Sequence, residues 1–290
     1  MRVLVTGANG FVGRRLLETH AGGHELFGLA RTPGPKLPDV EWIEHDLVDP
    51  LAHARVPPRI DAVVHLAQSR RYREFPEGAR DMFEVNVRST FELLEYARDA
   101  RARSFVFTSS GGVYRPSRAP LVETDPVEPS SFYFSSKYVS EQLIATYAAF
   151  FATVVLRPFS VYGPGQERML VPSLIDRVAN GDVVTVEGEP GLRINPIYVD
   201  DAVRVFEPAL RLSGSGVFNV AGNEAVTLTE LVELISETVG RRPAIEYTPN
   251  TSAGDLVGDN TRMRETLGVV PQVSLREGLG RTVGSRLPAA

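Results

Sequence analysis

Tyr133 and Lys137 lie four residues apart in Tyr133-Phe134-Ser135-Ser136-Lys137, one turn along the same face of a helix. A phenol beside an ammonium is an acid–base pair, because the cation favours the phenolate and draws the tyrosine down from about 10. The same lysine has the reach to hold a ribose. A hydroxyl partner is expected in Phe105-Val106-Phe107-Thr108-Ser109-Ser110-Gly111-Gly112. There Ser110 can polarise a carbonyl or an alcohol while Tyr133 moves the proton. A second constellation opens the chain: Thr6-Gly7-Ala8-Asn9-Gly10-Phe11-Val12-Gly13 sets glycines three and three apart, between an apolar strand and an amphipathic helix. Gly7 permits a tight turn, Gly10 lets the backbone approach phosphates, and Gly13 lets helix and strand pack closely. The helix start adds N–H donors and the positive end of a dipole, so the turn reads as a pyrophosphate cradle.

The end of the second strand discriminates between dinucleotides. A carboxylate there would hold the ribose 2′-hydroxyl of NAD, whereas an arginine can accept the 2′-phosphate of NADP. Gly28-Leu29-Ala30-Arg31 carries no acid and one guanidinium, which leans the reading towards NADP. The alternative is a solvated loop arginine.

These residues need elements to position them. Residues 1–162 alternate β-rich runs (Val3–Thr6, Glu25–Ala30, Asp61–Leu66, Ser104–Thr108, Thr153–Leu156) with helical patterns, as βαβ units on a parallel sheet do. A long helix is expected from about Ala79 to Arg98, and another from about Ser135 to Phe151. The fold class is α/β, a doubly wound parallel sheet of Rossmann type with a smaller C-terminal α+β substrate lobe. Residues 1–162 form the dinucleotide-binding domain and 163–290 mainly the lobe, with roughly 197–222 returning to the first domain. Gly284 to Ala290 reads as a frayed tail.

Composition narrows the function. The 290 residues contain no cysteine, which excludes a disulfide scaffold, a thiolate zinc site and a cysteine nucleophile. His20, His24, His45, His53 and His65 are scattered and none forms a pair with ligand spacing and flanking acids, so no metal is expected, and His65 reads as a core histidine. A net charge of -5 argues against nucleic acid or an anionic membrane as partner. No targeting signal and no apolar run of membrane-span length occur, so a soluble, cytoplasmic protein is expected. Of 31 basic residues only Lys36 and Lys137 are lysine, which sharpens the meaning of Lys137 and weakens that of any single arginine.

The ordered motifs resemble those of the extended short-chain dehydrogenase/reductase family, in its sugar-nucleotide epimerase/dehydratase/reductase branch. The resemblance rests on the glycine turn, Asp46-Leu47, His65-Leu66-Ala67, Asn86 with Thr90 and Leu94, Ser110, and Tyr133/Lys137. It continues through Leu156-Arg157-Pro158, Val161-Tyr162-Gly163-Pro164-Gly165, Tyr198-Val199-Asp200-Asp201 and Phe218-Asn219-Val220-Ala221-Gly222. It implies that Asp46 and Leu47 contact the adenine end and that Leu66, Ala67 and Gln68 line the cofactor. Asn9, Phe11, Val12, Asn86, Pro158 and Val161 join the cofactor set. Tyr133 is then the acid/base, Lys137 the ribose anchor and Ser110 the substrate's hydroxyl partner, in a protein that dimerises through its two long helices.

Departures from the pattern bear on reaction and substrate. Family dehydratases and decarboxylases carry acids after the catalytic hydroxyl, and here those positions are Gly111 and Gly112. That leaves hydride transfer at sugar C4: a 4-epimerase or, alternatively, an NADPH-dependent 4-keto-deoxysugar reductase. A third reading is a non-catalytic dinucleotide sensor, which would be expected to lose Tyr133 or Lys137. Ser160 replaces a usual asparagine, Arg193 stands one position early, and Ser252 and Ala253 occupy the place of a further arginine. Arginines clamp a diphosphate bidentately, so Arg70, Arg71, Arg168 and Arg193 are the candidates to replace those lost.

Overall fold

The computed structural model describes residues 1–20, 22–249 and 254–287. Its centre is a seven-stranded sheet in the order Gly216–Val220, β6, β5, β4, β1, β2, β3, with β1 Arg2–Thr6, β2 Glu25–Ala30, β3 Val40–Glu44, β4 Ala62–His65, β5 Ser104–Thr108 and β6 Ala152–Pro158. The pairings of β1 to β6 are all parallel. Every side chain of β4 is buried, as expected of strands covered on both faces. The order reverses between β1 and β4, and ligands of doubly wound sheets lie beyond the carboxyl ends of strands at that switch point.

Helix α1 (Phe11–His20) follows β1 and buries Gly13, Leu16 and Leu17. The long helical stretch after β4 is α2 (Ala79–Met82), a π-helical segment Phe83–Arg88, and α3 (Ser89–Asp99). The widened turn has a use: the Asn86 carbonyl accepts hydrogen bonds from Thr90 Oγ1 (2.6 Å) and from Ser140 Oγ (2.7 Å) of α4 (Phe132–Thr146). Helix α4 starts three residues before the expected Ser135, because the Ser131 side chain caps it by accepting from the Phe134 N–H. It ends at Thr146, short of Phe151. Leu4, Val63, Leu93, Leu94, Phe105, Phe107 and Ile144 form one core under these elements, each burial contributing about 1.5–3 kcal/mol.

The chain divides into two compact units. The first comprises Met1–Val113, Val127–Arg157 and Val203–Phe218; the second comprises Tyr114–Pro126, Pro158–Ala202 and Asn219–Ala290. Within the second, Val184–Glu187 pairs in parallel with Ile245–Thr248. Its helix Leu228–Val239 begins on a Thr227/Glu230 capping box and ends at Gly240 in the left-handed region, where φ is 76°. The expected frayed tail needs correction. Gly284 to Arg286 belong to a helix Leu275–Arg286, capped by Ser274 and anchored by a bidentate Arg286–Asp176 pair at 2.5 and 2.6 Å. No helix among the described residues is long and apolar enough to cross a membrane.

Candidate active site

The glycine turn joins β1 to α1 at the switch point. Gly7 has φ +66°, and a Cβ there would lie 2.8 Å from the Ala67 nitrogen, in the segment leaving β4. A Cβ on Gly13 would come within 2.4 Å of the Gly7 carbonyl oxygen, so helix and turn touch backbone to backbone. With its glycines at the start of α1 and its backbone packed this closely, the turn fits a pyrophosphate cradle. Phe11 and Val12 open that helix. Asn9 ties the turn to the loop after β2: its Nδ2 donates to the Thr32 and Pro33 carbonyls (3.1 and 3.3 Å), and its Oδ1 accepts from Arg14 (2.7 Å). It thereby fixes the loop after β2, on which Arg31 is exposed.

After β3, half-buried Asp46 accepts from the Val48 N–H at 3.2 Å, and Leu47 is buried. Beyond β4, Leu66 and Ala67 are half-buried and Gln68 is exposed. Asn86 is a brace, its Oδ1 accepting from the Ser69 N–H (2.8 Å) and its Nδ2 donating to Ser136 (2.8 Å). His65 is fully buried and bonded to Thr6 Oγ1 (2.7 Å) and Thr90 Oγ1 (2.9 Å). Burial first, and the Lys137 charge second, lower it to about 3, so it is neutral at ordinary pH.

Tyr133 and Lys137 share the first turns of α4. The Tyr133 hydroxyl donates to Gln68 Oε1 at 2.5 Å, and its ring meets Tyr72 at 5.4 Å. Lys137, 1% exposed, donates to the Thr108 carbonyl at 2.9 Å, with its Nζ 4.9 Å from the Phe107 ring centroid and 6.0 Å from that of Tyr133. The expected depression of the phenol does not hold in this arrangement. The ammonium lies over the Tyr133 ring, and burial, assisted by Tyr72, pushes the phenol up. Burial likewise pushes Lys137 down to about 7 against the opposing pull of Glu141. In this arrangement Tyr133 is a protonated phenol at ordinary pH, while Lys137 titrates near neutrality.

Ser110 follows β5 half-buried, and its Oγ accepts from the Gly112 N–H at 3.1 Å. Gly112 has a steric cause: a Cβ would lie 2.2 Å from the Phe134 ring. No acid can occupy that position while α4 packs as it does. Gln68 as partner of the phenol, and the Glu141–Arg157 pair behind Lys137, were not singled out in the sequence. Glu141, four residues after Lys137, was the available signal.

The remaining candidates divide between the units. Arg70 is exposed in the first, where Arg71 pairs with Glu74 at 2.7 Å. Pro158 and Val161 are half-buried in the second. There Ser160 has φ 50°, and Arg193 is exposed while its N–H donates to Asp255 at 2.9 Å. Arg168 is exposed with φ 55°. Ser252 and Ala253 lie outside the described residues. Among the described residues no three His, Asp or Glu side chains are arranged to hold a metal ion.

Comparison with known proteins identifies the family. The chain is 33% identical to a UDP-glucose 4-epimerase of Mycolicibacterium smegmatis over 306 residues, 98% of this chain and 97% of that one. It is 32% identical to a dTDP-4-dehydro-6-deoxy-D-allose reductase of Streptomyces bikiniensis, covering 97% and 94% of the two chains. A UDP-glucose 4-epimerase of Thermus thermophilus, solved in complex with NAD, superposes with a TM-score of 0.84 at 29% identity, covering all of both chains. Residues 3–221 match a whole-family pattern, and the chain belongs to the NAD dependent epimerase/dehydratase family.

Proposed function

We propose that this chain is a nicotinamide-dependent sugar-nucleotide 4-epimerase, with Tyr133 as acid/base, Lys137 as ribose anchor and Ser110 as the hydroxyl partner. The observation that carries the reading is Tyr133 and Lys137 on one face of α4, with Gly112 forced to lack a side chain where a dehydratase would need an acid. The relatives named above support the substrate class. The glycine turn, Leu47, Leu66 and Ala67 would hold the cofactor. When bound, it supplies a hydride acceptor and donor for sugar C4, so oxidation and re-reduction leave it unchanged. Tyr133 takes the 4-hydroxyl proton in the first half and returns it in the second, while Ser110 donates to the same oxygen. A charged Lys137 holding ribose hydroxyls also lowers the Tyr133 phenol in that complex.

Tyr133→Phe is the test. Cofactor binding should persist and turnover on UDP-glucose or UDP-galactose should fall at least about a hundredfold. Near-wild-type turnover would overturn the assignment, and absence of turnover in the wild-type with a panel of sugar nucleotides favours a sensor. Arg31 supports a second reading, an NADPH-dependent 4-keto-deoxysugar reductase; cofactor retained through purification favours the epimerase, and an empty protein that prefers NADPH favours the reductase. The enzyme is further read as a cytoplasmic homodimer. Phe83, Phe91 and Val139 on the two long helical stretches are about half exposed, which fits a covered apolar face, and sedimentation equilibrium measures the state.

A further inference from the structure

Behind the reactive pair lies a buried ion pair that the chemistry above does not use. Glu141 and Arg157 are each 4% exposed, yet both carry charge. Arg157 holds the carboxylate bidentately, Nε to Oε1 at 3.0 Å and Nη2 to Oε2 at 2.5 Å. Ser109 Oγ donates to the same carboxylate. Three elements meet there. Ser109 leaves β5, its N–H donating to the Leu156 carbonyl at 2.7 Å; Arg157 belongs to β6; Glu141 stands one helical turn after Lys137 and two after Tyr133 on α4.

Replacing such a pair by apolar side chains often leaves stability unchanged or raises it, so stability alone is a weak reason for its presence. Its position supplies another. Lys137 is faced by the Tyr133 ring from α4 and by the Phe107 ring and Thr108 carbonyl from β5, and its charge acts on neutral His65 of β4. Glu141 stands one turn further along the same face of α4, held by Arg157 of β6. Among these, only Glu141 favours the ammonium by its charge, in agreement with its opposing pull on the lowered lysine. Ser109, tied to the same carboxylate, fixes the backbone from which Ser110 projects.

We propose that the Glu141–Arg157 pair is a positioning device for the reaction, keeping the Lys137 ammonium charged inside an apolar pocket and setting the strand end that carries Ser110. This rests on the reading of Tyr133, Lys137 and Ser110 as the reactive set. Lys36 and Lys137 are the only lysines, so protein labelled with 13C-lysine gives two side-chain signals whose pH titrations are read without turnover. In Glu141→Gln the Lys137 midpoint should fall by about one pH unit while Lys36 stays fixed. Turnover should then decline at a correspondingly lower pH, about tenfold at pH 8. The double variant Glu141→Met/Arg157→Met leaves neither member of the pair alone in the interior and is expected to fold. It should lower the Lys137 midpoint in the same direction. An unmoved midpoint in either folded variant overturns the proposal. So does failure of both to fold where Lys137→Met folds, since the pair then serves the fold alone. Full turnover of Tyr133→Phe instead overturns the functional reading and leaves the lysine titration standing.

Discussion

In the first unit five buried polar side chains meet in one place: Lys137, Glu141, Arg157, Ser109 and His65 gather where β4, β5, β6 and α4 end or begin. In the second the buried polar side chains are Gln166, Asn195, Asp201, Asn219, Ser236 and Thr282, half of them amides. Asn195 donates to the Gly222 and Gly258 carbonyls (3.0 and 2.8 Å), and Asn219 joins Tyr114 to the Leu121 carbonyl (2.8 Å each). The second unit's candidate substrate groups, Arg168 and Arg193, are exposed. The contrast follows from what each task demands. Proton transfer needs rigid groups in a dry setting, where charge is costly and its effects are large. Recognition of a phosphate needs a charged fork within reach, which one surface arginine supplies and another can replace.

Lys137→Met tests the costly side of that contrast and carries the largest expected effect on stability. The Lys137 folded value near 7 lies well below the ordinary 10.5. The unfolded chain therefore binds more protons between those values, and stability rises with pH from about 7 to 10.5. Below 7 the burial cost is expressed in full. Removing the ammonium should stabilise the fold by on the order of 3 kcal/mol at pH 7: about 4 from relieved burial, less about 1 for the orphaned Thr108 carbonyl. The gain should shrink towards pH 10.5, and turnover should be lost. Urea unfolding at pH 7 and pH 10 measures both. A variant less stable than wild type at pH 7 would break the idea that the site is held at the expense of stability.

Asn219→Ala probes the other unit. Its loss leaves the Tyr114 hydroxyl and the Leu121 carbonyl without this partner inside the fold, which should cost about 2 kcal/mol. Cofactor affinity should not change, because the brace serves only the loops around it. Thermal unfolding alongside a cofactor titration separates the two effects. A drop in affinity matching the drop in stability would mean that the amides of the second unit share in holding the cofactor.

The same contrast explains what the sequence disclosed. Gly7, Gly13 and Gly112 were legible because backbone or ring contacts leave no room for a Cβ, and Lys137 stood out among so many arginines. The direction of the Tyr133 phenol was not legible, since it depends on burial and on Tyr72, 61 positions upstream and brought close only by the fold. Arg157 and Glu141 belong to different elements, a strand and a helix, and no periodicity joins them. The start of α4 was misplaced because Phe132-Tyr133-Phe134 has modest helix propensity, and the Ser131 cap and packing decide its state. The end of the helix Leu275–Arg286 was read as a frayed tail for a similar reason: Gly278, Gly280 and Gly284 weaken the pattern, while Ser274 and the Arg286–Asp176 pair secure both ends.

Arg193→Ala carries the smallest structural effect and decides whether recognition in the second unit is as replaceable as its exposure suggests. The Arg193 backbone N–H donates to Asp255, and its carbonyl accepts from the Leu256 N–H at 2.9 Å, so truncation leaves the local ladder intact. Stability should change by less than about 0.5 kcal/mol. If the guanidinium meets the diphosphate, one charge-assisted contact is lost, and KM for the sugar nucleotide should rise about tenfold with kcat unchanged. Steady-state kinetics on Arg193→Ala and Arg193→Lys separate charge from fork geometry, since lysine restores the charge without the bidentate contact. An unchanged KM in both variants removes Arg193 from the substrate set and passes the diphosphate to Arg168 or Arg70. A fall in kcat instead would place this exposed arginine among the groups that act in the transition state, and the division of labour between the two units would no longer hold.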